Sequence, residues 1–449
     1  MKIYKRTKKG TEVNIYIFGI NVYRRTNEKK SFALGLFKVK RKNNKKRYYL
    51  FKICVYRKSY PQSVGGGLKI YNYNYNNVFI VENYINSIKD KIERNVEYVK
   101  NLILNSKTVM IGASSGYLNH SHGWIKYLFK GTLYSLNSLP YDNKGADLFV
   151  TLGGIGPSPA TAQVIVESLT VNKPVLFLEA AFLRSVVTFC DEKASPKFRY
   201  DIGFVLDPLG AYYDGTRPNM LENMLNDKNL VITEEQKARA RKCIDFIVSN
   251  KLSKYNSQPI FVPSVGRAGA DKVLVVDQSF GDSSIKKGCA SVSTFEEMLN
   301  AAINENPNAD IIIKTHPDTM TGNRSAYYSH IKTHDNIYVY SDPINPISLI
   351  EYVSKVYVCS TQLGFEALMC GKETHVFGMP FYAGWGLSRD MQVCPRRTNR
   401  RSLEEVFYIT YILYSYYINP FKECRCEIEE AADILLSLRD EYFSLENSK

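Results

Sequence analysis

A chain of 449 residues in which 45% of side chains are apolar and 23% charged matches ordinary soluble proteins, which run at roughly 45–50% and about 25%. That composition excludes a disordered, collagen-like or coiled-coil chain, and at ~100–200 residues per domain the length calls for two or three domains. The formal net charge of +15 is concentrated at one end: residues 1–60 carry 19 Lys and Arg against Glu12 and Glu28, whereas the other 389 residues carry 40 basic and 42 acidic side chains.

The basic end comes first in the chain. Its densest run, Lys38-Val-Lys-Arg-Lys-Asn-Asn-Lys-Lys-Arg47, is followed by Tyr48, Tyr49, Leu50 and Phe51. Such a run suits an anionic membrane surface or a lipid-linked acceptor, where each basic residue adds about 1 kcal/mol. Nucleic acid is the less favoured partner, and a solvated appendage is the plain alternative. Residues 60–78, with three consecutive glycines and alternating Tyr and Asn, read as a linker without helical period. Residues 1–78 are therefore expected to be a basic extension and linker. The chain has no run of about 18 apolar residues and its first ten residues lack a leader's apolar core, so a cytoplasmic protein, peripheral at the inner membrane face, is expected. Nine scattered cysteines fit neither a disulfide scaffold nor a zinc spacing and read as free thiols; no metal is expected.

Beyond the linker, apolar spacing predicts an amphipathic helix over 81–104 and then a strand at 108–112. Strands follow at 147–152, 174–179, 272–277, 310–314, 337–340, 355–359 and 374–377. Helices are expected at 158–169, 233–248, 294–304, 346–353 and 364–370, with a last helical part over 402–445. Strands alternating with helices predict an α/β fold of two facing Rossmann-like, doubly wound domains, cut at 79–268 and 269–400, with 401–449 returning toward the first. In such sheets ligands lie beyond the carboxyl ends of the strands.

Three segments place reactive side chains at those ends. In Asp310-Ile-Ile-Ile-Lys-Thr-His-Pro-Asp318 an apolar strand delivers Lys314 and His316, a cation to balance a phosphate and a donor or proton carrier. In Cys359-Ser-Thr-Gln-Leu-Gly-Phe-Glu-Ala-Leu368, Ser360 or Thr361 can cap a helix whose N–H groups suit an anion. Glu366 there can accept from ribose hydroxyls, or simply complement the helix dipole. In Val273-Leu-Val-Val-Asp-Gln-Ser-Phe-Gly-Asp-Ser-Ser-Ile285, Asp277 and Asp282 follow a strand. Either carboxylate can act as nucleophile or base, or close an Asx-turn.

Taken in order, these segments, together with Phe377-Gly-Met-Pro-Phe-Tyr-Ala-Gly-Trp-Gly-Leu387 and the upstream pieces Phe182-Leu-Arg-Ser185, Tyr212-Tyr-Asp214, Arg217-Pro218 and Ser253-Lys-Tyr-Asn256, resemble the capsule polysaccharide β-Kdo glycosyltransferases of the KpsC type, as a single transferase module covering about residues 145–425. The resemblance implies a GT-B architecture, a CMP-β-Kdo donor, a lipid-linked glycan acceptor in capsule or surface polysaccharide synthesis, and retention through a covalent aspartyl adduct, with no cofactor or metal. It implies Asp282 as the adduct residue. Lys314 and His316 match the motif on the CMP phosphate, and Ser360, Thr361 and Glu366 the helix facing the nucleotide. Arg184 and Ser185, with Gln278 and Ser284, fall toward sugar or acceptor.

The sequence departs from that pattern at Ala180-Ala181, where the family usually carries Asp-Gly, so an acid on the acceptor side is missing. Two other readings stay open: a non-catalytic, export-associated member of the same fold, and a GT-B transferase using another nucleotide donor. Trp385 reads equally as a donor-site wall or as core, and Tyr212 and Tyr213 read as packing.

Overall fold

The computed structural model describes Tyr84 and residues 96–113, 123–135, 145–153, 159–188, 191, 193–315 and 326–447, and the backbone of seven strands within 4–59. The protein has an α/β fold whose described residues fall into two compact units. No helix among the described residues is long and apolar enough to cross a membrane.

The N-terminal strands are β1 (Tyr4–Lys9), β2 (Glu12–Ile17), β3 (Ile20–Arg25), β4 (Lys30–Ser31), β5 (Phe37–Lys42), β6 (Lys45–Leu50) and β7 (Ile53–Ser59). They pair as two antiparallel sheets, β1-β2-β3-β4 and β5-β6-β7. In the second, the register sets Lys40 opposite Arg47 and Arg47 opposite Arg57, and likewise Arg41, Lys46 and Lys58 in a row. Like charges directly opposite one another destabilise a sheet.

The first unit also contains α1 (Val96–Asn105), β8 (Thr108–Ile111), β9 (Thr132–Ser135), β10 (Leu148–Leu152), α2 (Pro159–Val171) and β11 (Val175–Ala180). Strand β8 pairs in parallel with β9 and β10, and β10 with β11. Strands β8, β10 and β11 are near-continuous apolar runs because both faces are covered. Met110, Phe149, Val164, Ile165, Val175 and Phe177 form the core. The helix predicted from residue 81 is seen from Val96; most of its first part lies outside the described residues.

The second unit holds a six-stranded sheet built from β13 (Lys272–Val276), β14 (Asp310–Lys314), β15 (Ile337–Tyr340), β16 (Lys355–Val358), β17 (Glu373–Val376) and β18 (Arg389–Asp390). Its order is β15-β14-β13-β16-β17-β18, every pair parallel. Counted from β13 this is 3-2-1-4-5-6, the doubly wound order in which the chain reverses its direction of travel between the first and fourth strands and leaves a crevice at their carboxyl ends. The crossovers carry α6 (Ser283–Lys287), α7 (Val292–Glu305), α8 (Pro346–Glu351) and α9 (Leu363–Met369), numbered after α3 (Pro196–Arg199), α4 (Met220–Asn226) and α5 (Glu234–Ser249). Phe295, Met298 and Ala302 of α7 close one face over Val273, Val275, Ile311 and Ile313. A complete capping box, Thr233 with Gln236, starts α5.

The sequence reading erred over 402–445, expected to be helical throughout. After α10 (Leu403–Phe407) and a π-helical stretch Tyr408–Leu413, the chain forms β19 (Ser415–Asn419) and β20 (Cys424–Cys426), a hairpin, before α11 (Ile428–Asn447). All five residues of β19 are buried, which suits a β-branched and aromatic strand and hides the alternation that would have announced it. It pairs antiparallel with β12 (Gly203–Asp207), another fully buried strand with no period to read.

Candidate functional site

The carboxyl ends of β13, β14 and β16 meet where the strand order reverses. Strand β13 ends at Val276, in register with Lys314, and the Asp277 N–H donates to the Lys314 carbonyl at 3.0 Å. The next residue crosses to the neighbour on the other side: Gln278 Oε1 accepts from the Ser360 N–H at 3.0 Å, and its Nε2 lies 3.3 Å from Ser360 Oγ. Residues separated by 82 positions are thus joined across the crevice.

Asp277 and Asp282 have different surroundings. Asp277 is buried and its carboxylate accepts three backbone N–H groups, from Gln278 at 2.8 Å and from Tyr327 and Tyr328 at 3.1 Å each. Burial pushes its pKa up to about 6 despite those donors. This residue builds the loop: it fastens the end of β13 to the segment that starts at Ala326, which also bridges Ser279. Asp282 is only partly buried. It is the N-cap of α6, with Oδ1 accepting from the Ser284 N–H at 2.8 Å. Gly281, at φ +78°, turns the chain between Phe280 and Asp282 through a conformation costly for any residue with a Cβ.

The far end of α6 is clamped from two sides. The Gly215 N–H donates to the Lys287 carbonyl at 2.8 Å and the Met379 N–H to the Gly288 carbonyl at 2.6 Å. Gly378 is required beside it, since a Cβ there would lie 2.7 Å from the Gly288 oxygen and 2.8 Å from the Cys359 oxygen. Lys287 Nζ also lies 3.6 Å from Asp214, which pairs with Arg217 at 3.5 Å. Asp214 is buried.

Lys314, the last residue of β14, is partly buried; Nζ donates to the Asp342 carbonyl at 3.1 Å and lies over the Tyr340 ring. Burial lowers its pKa to about 8. His316 lies outside the described residues. Ser360 and Thr361 precede α9, and Thr361 Oγ1 accepts from the Leu363 N–H at 3.3 Å. Glu366 is buried, accepts from Ser253 Oγ at 2.7 Å and from Gln362 Nε2 at 3.3 Å, and has its pKa raised by desolvation. In this structure those hydrogen bonds hold the carboxylate inside the fold.

Motifs that look separate in sequence form one hydrogen-bonded network here. Ser185 donates to the Val187 carbonyl, and Asn256 Nδ2 donates to the Ser185 carbonyl at 3.0 Å. Arg184 is paired with Asp201, and its Nη1 donates to Tyr255 OH at 2.7 Å. Gln362 Nε2 reaches the Phe182 carbonyl at 2.8 Å. Phe182 packs on Tyr212, Phe381 and Tyr411, each with ring centroids 4.8 Å away or, for the last pair, stacked at that distance. Trp385 is fully buried and its Nε1 donates to the Phe381 carbonyl, so the ring fills core. Sequence reasoning missed Tyr327 and the 326–328 segment, whose partner Asp277 lies 50 residues upstream. Among the described residues no three His, Cys, Asp or Glu side chains are placed to hold a metal ion, and every cysteine is a free thiol.

Comparison with known proteins gives these features relatives. Residues 161–421 match the family described as capsule polysaccharide biosynthesis protein. The capsule polysaccharide modification protein LipA of Neisseria meningitidis serogroup A is 38% identical over 288 residues, 62% of this chain and 40% of that protein. The lipopolysaccharide-processing protein LpsZ of Rhizobium meliloti is 35% identical over 259 residues, 58% of each. The chain therefore spans 40% and 58% of the length of these two curated relatives. Among solved structures, a Thermosulfurimonas dismutans KpsC, β Kdo 2,4 transferase, superposes with a TM-score of 0.65 at 33% identity, over 74% of this chain and 98% of that one. The β Kdo 2,7 transferase of the same organism's KpsC gives 0.50 at 26% identity, over 74% and 99%. With more than half its length matched, the chain belongs to the capsule polysaccharide biosynthesis protein family.

Proposed function

We propose that the protein is a retaining glycosyltransferase of GT-B architecture that moves Kdo from CMP-β-Kdo to a lipid-linked glycan acceptor at the inner membrane face. The observation that carries the reading is the place of Asp282: at the reversal point of a 3-2-1-4-5-6 sheet, on a loop tied to Ser360 on one side and Lys314 on the other. The likeness to the KpsC β Kdo 2,4 transferase supports the donor, and its margin over the 2,7 transferase supports transfer to a 4-hydroxyl.

In the first step the Asp282 carboxylate attacks the anomeric carbon of Kdo while the bond to the CMP phosphate breaks, leaving an ester and free CMP. In the second, an acceptor hydroxyl attacks the same carbon from the opposite face, loses its proton to a base, and releases the carboxylate. Two inversions give net retention. With Oδ1 occupied by the Ser284 N–H, Oδ2 is the attacking oxygen. Asp277, buried and holding three backbone N–H groups, fastens the loop and does not react. Lys314, His316 and the turn at Ser360 and Thr361 match the single negative phosphate of a CMP-sugar, so the reading calls for no metal. Gln278 sets the spacing between that turn and the nucleophile, and Arg184, Ser185 and Ser284 support the sugar side. Residues 1–60, with 19 Lys and Arg against two Glu, supply the membrane contact.

Thermal denaturation with nucleotides tests the donor class, because a ligand bound only by the folded state raises the midpoint. CMP should raise it and UDP and CDP should not at equal concentration, and the product linkage should be β by NMR. An equal shift with UDP, or an inverted product, would contradict the reading.

A further inference from the structure

Phe280 is an apolar ring standing in water beside the proposed nucleophile. It is 53% exposed, two residues before Asp282, in a chain where most large aromatic side chains of this unit are buried. The ring is supported from beneath: its centroid lies 5.3 Å from that of Tyr327, which stacks face to face on Phe295 of the α7 core at 3.8 Å and 0°. Three aromatic rings thus form a column that rises from the sheet core to the surface.

That column is tethered at its base: Asp277 holds the Tyr327 and Tyr328 N–H groups, and Ser279 bridges Ala326. An exposed phenyl ring beside a polar crevice forgoes the burial that stabilises an apolar side chain, and a loop that only needed to reach Asp282 would do better with a polar residue. The loop spans the crevice: Gln278 turns to Ser360, and Phe280 turns to Tyr327.

We infer that Phe280, backed by Tyr327, is the stacking platform for a pyranose ring of the glycan acceptor. The inference rests on the proposed role of Asp282. A pyranose presents an apolar face of C–H groups and a rim of hydroxyls, so a flat ring orients it without competing for the hydroxyl that must attack. The acceptor enters from solvent after CMP has left, and Phe280 is exposed to solvent. Phe280 touches the second substrate only, and contributes to the second step rather than to formation of the ester.

The two steps separate experimentally. Wild-type protein, Phe280→Ala and Phe280→Tyr would be compared for the rate at which CMP-Kdo alone forms a protein adduct, and for the KM of an alkyl β-Kdo glycoside in complete transfer. The expected result is an unchanged adduct rate and CMP affinity in all three, with KM for the glycoside raised about ten- to a hundredfold in Phe280→Ala and restored by Phe280→Tyr. Slowing of adduct formation in Phe280→Ala would overturn the inference by making the ring a donor contact, and an unchanged KM would overturn it outright. Failure of the wild-type protein to form any adduct would overturn the nucleophile itself, and the platform with it, whatever stands at position 280.

Discussion

Around His375 in β17, the six-stranded unit buries a histidine between two carboxylates: Nε2 is 2.7 Å from Glu373, and Nδ1 is 3.3 Å from Glu305 at ion-pair distance but without hydrogen-bond geometry. Tyr357 OH donates to the same Glu305 at 2.8 Å, and Arg389 approaches it at 3.2 Å. At the carboxyl ends of β13, β14 and β16 the same unit assembles Asp277, Asp282, Lys314 and Ser360. By residue type the first cluster looks the more catalytic. Its groups, however, pair mainly with one another, with the Tyr357 ring 4.3 Å from the imidazole; the hydrogen bond from His375 holds the Glu373 carboxyl below its usual range. The second cluster stands where the strand order reverses, with Phe280 exposed and Asp282 only partly buried. Topology, more than the density of ionisable groups, marks the site.

The largest effect that would break this contrast is at Asp282. Asp282→Asn should lower transfer roughly a thousandfold or more while leaving CMP affinity and the melting temperature nearly unchanged, the pattern of a group that serves the transition state. Normal turnover in the variant would remove Asp282 from the chemistry.

Lys314 comes next. Its amine, held down at about 8 by burial, is charged below that pH and must be charged to meet a phosphate. CMP affinity should be flat from pH 6 to 7.5 and fall as pH rises through the region of 8, approaching about tenfold per unit; calorimetry across that range checks it. The sign for stability is opposite. Charging a buried lysine is a cost paid below its folded pKa and relieved as pH rises toward the unfolded value of about 10.4, so Lys314→Met should bind CMP more weakly and melt no lower at pH 7.

His375→Gln should do the reverse: a loss of about 1–3 kcal/mol of stability from a buried hydrogen-bonded pair, measured by denaturant titration, with kcat unchanged in the folded fraction. A kcat that collapsed in step with Asp282→Asn would erase the distinction between the clusters. Asp277→Asn sits between them, since its side chain accepts three N–H groups. It should loosen the loop, lower stability by a similar amount and slow adduct formation without abolishing it, as followed by single-turnover kinetics.

The smallest effect concerns the basic strands. Binding to anionic vesicles should weaken from 0.1 M to 1 M salt as the screening length drops from about 10 Å to about 3 Å and should vanish when residues 1–75 are deleted. Sedimentation of both forms alike would end that role.

Much of the second unit was legible because its strands are apolar runs of four or five residues between polar turns: the predicted bounds of β14 and β15 are those observed, and β13, β16 and β17 differ by one residue. Among the strands that were missed, β12 and β19 are buried along their whole length, so nothing in their sequence alternates. Strand β19 also follows a Tyr- and Leu-rich stretch that reads as one long helix. At the site, Asp277 and Asp282 were visible as two carboxylates after a strand, but what separates them was not. Their partners Tyr327, Tyr328 and Ser284 are set by a contact 50 residues away and by a five-residue helix, and the bond from Gln278 to Ser360 exists only once β13 and β16 are neighbours.

The central claim is that Asp282 forms an ester with the transferred sugar. Intact-protein and peptide mass spectrometry of the purified protein after incubation with CMP-Kdo and no acceptor tests it directly. The account predicts an increment of one Kdo, located on the peptide containing Asp282, absent from Asp282→Asn and discharged on adding the glycoside acceptor. An increment retained by Asp282→Asn, or located on Asp277 or on the Glu305–Glu373 cluster, would contradict it.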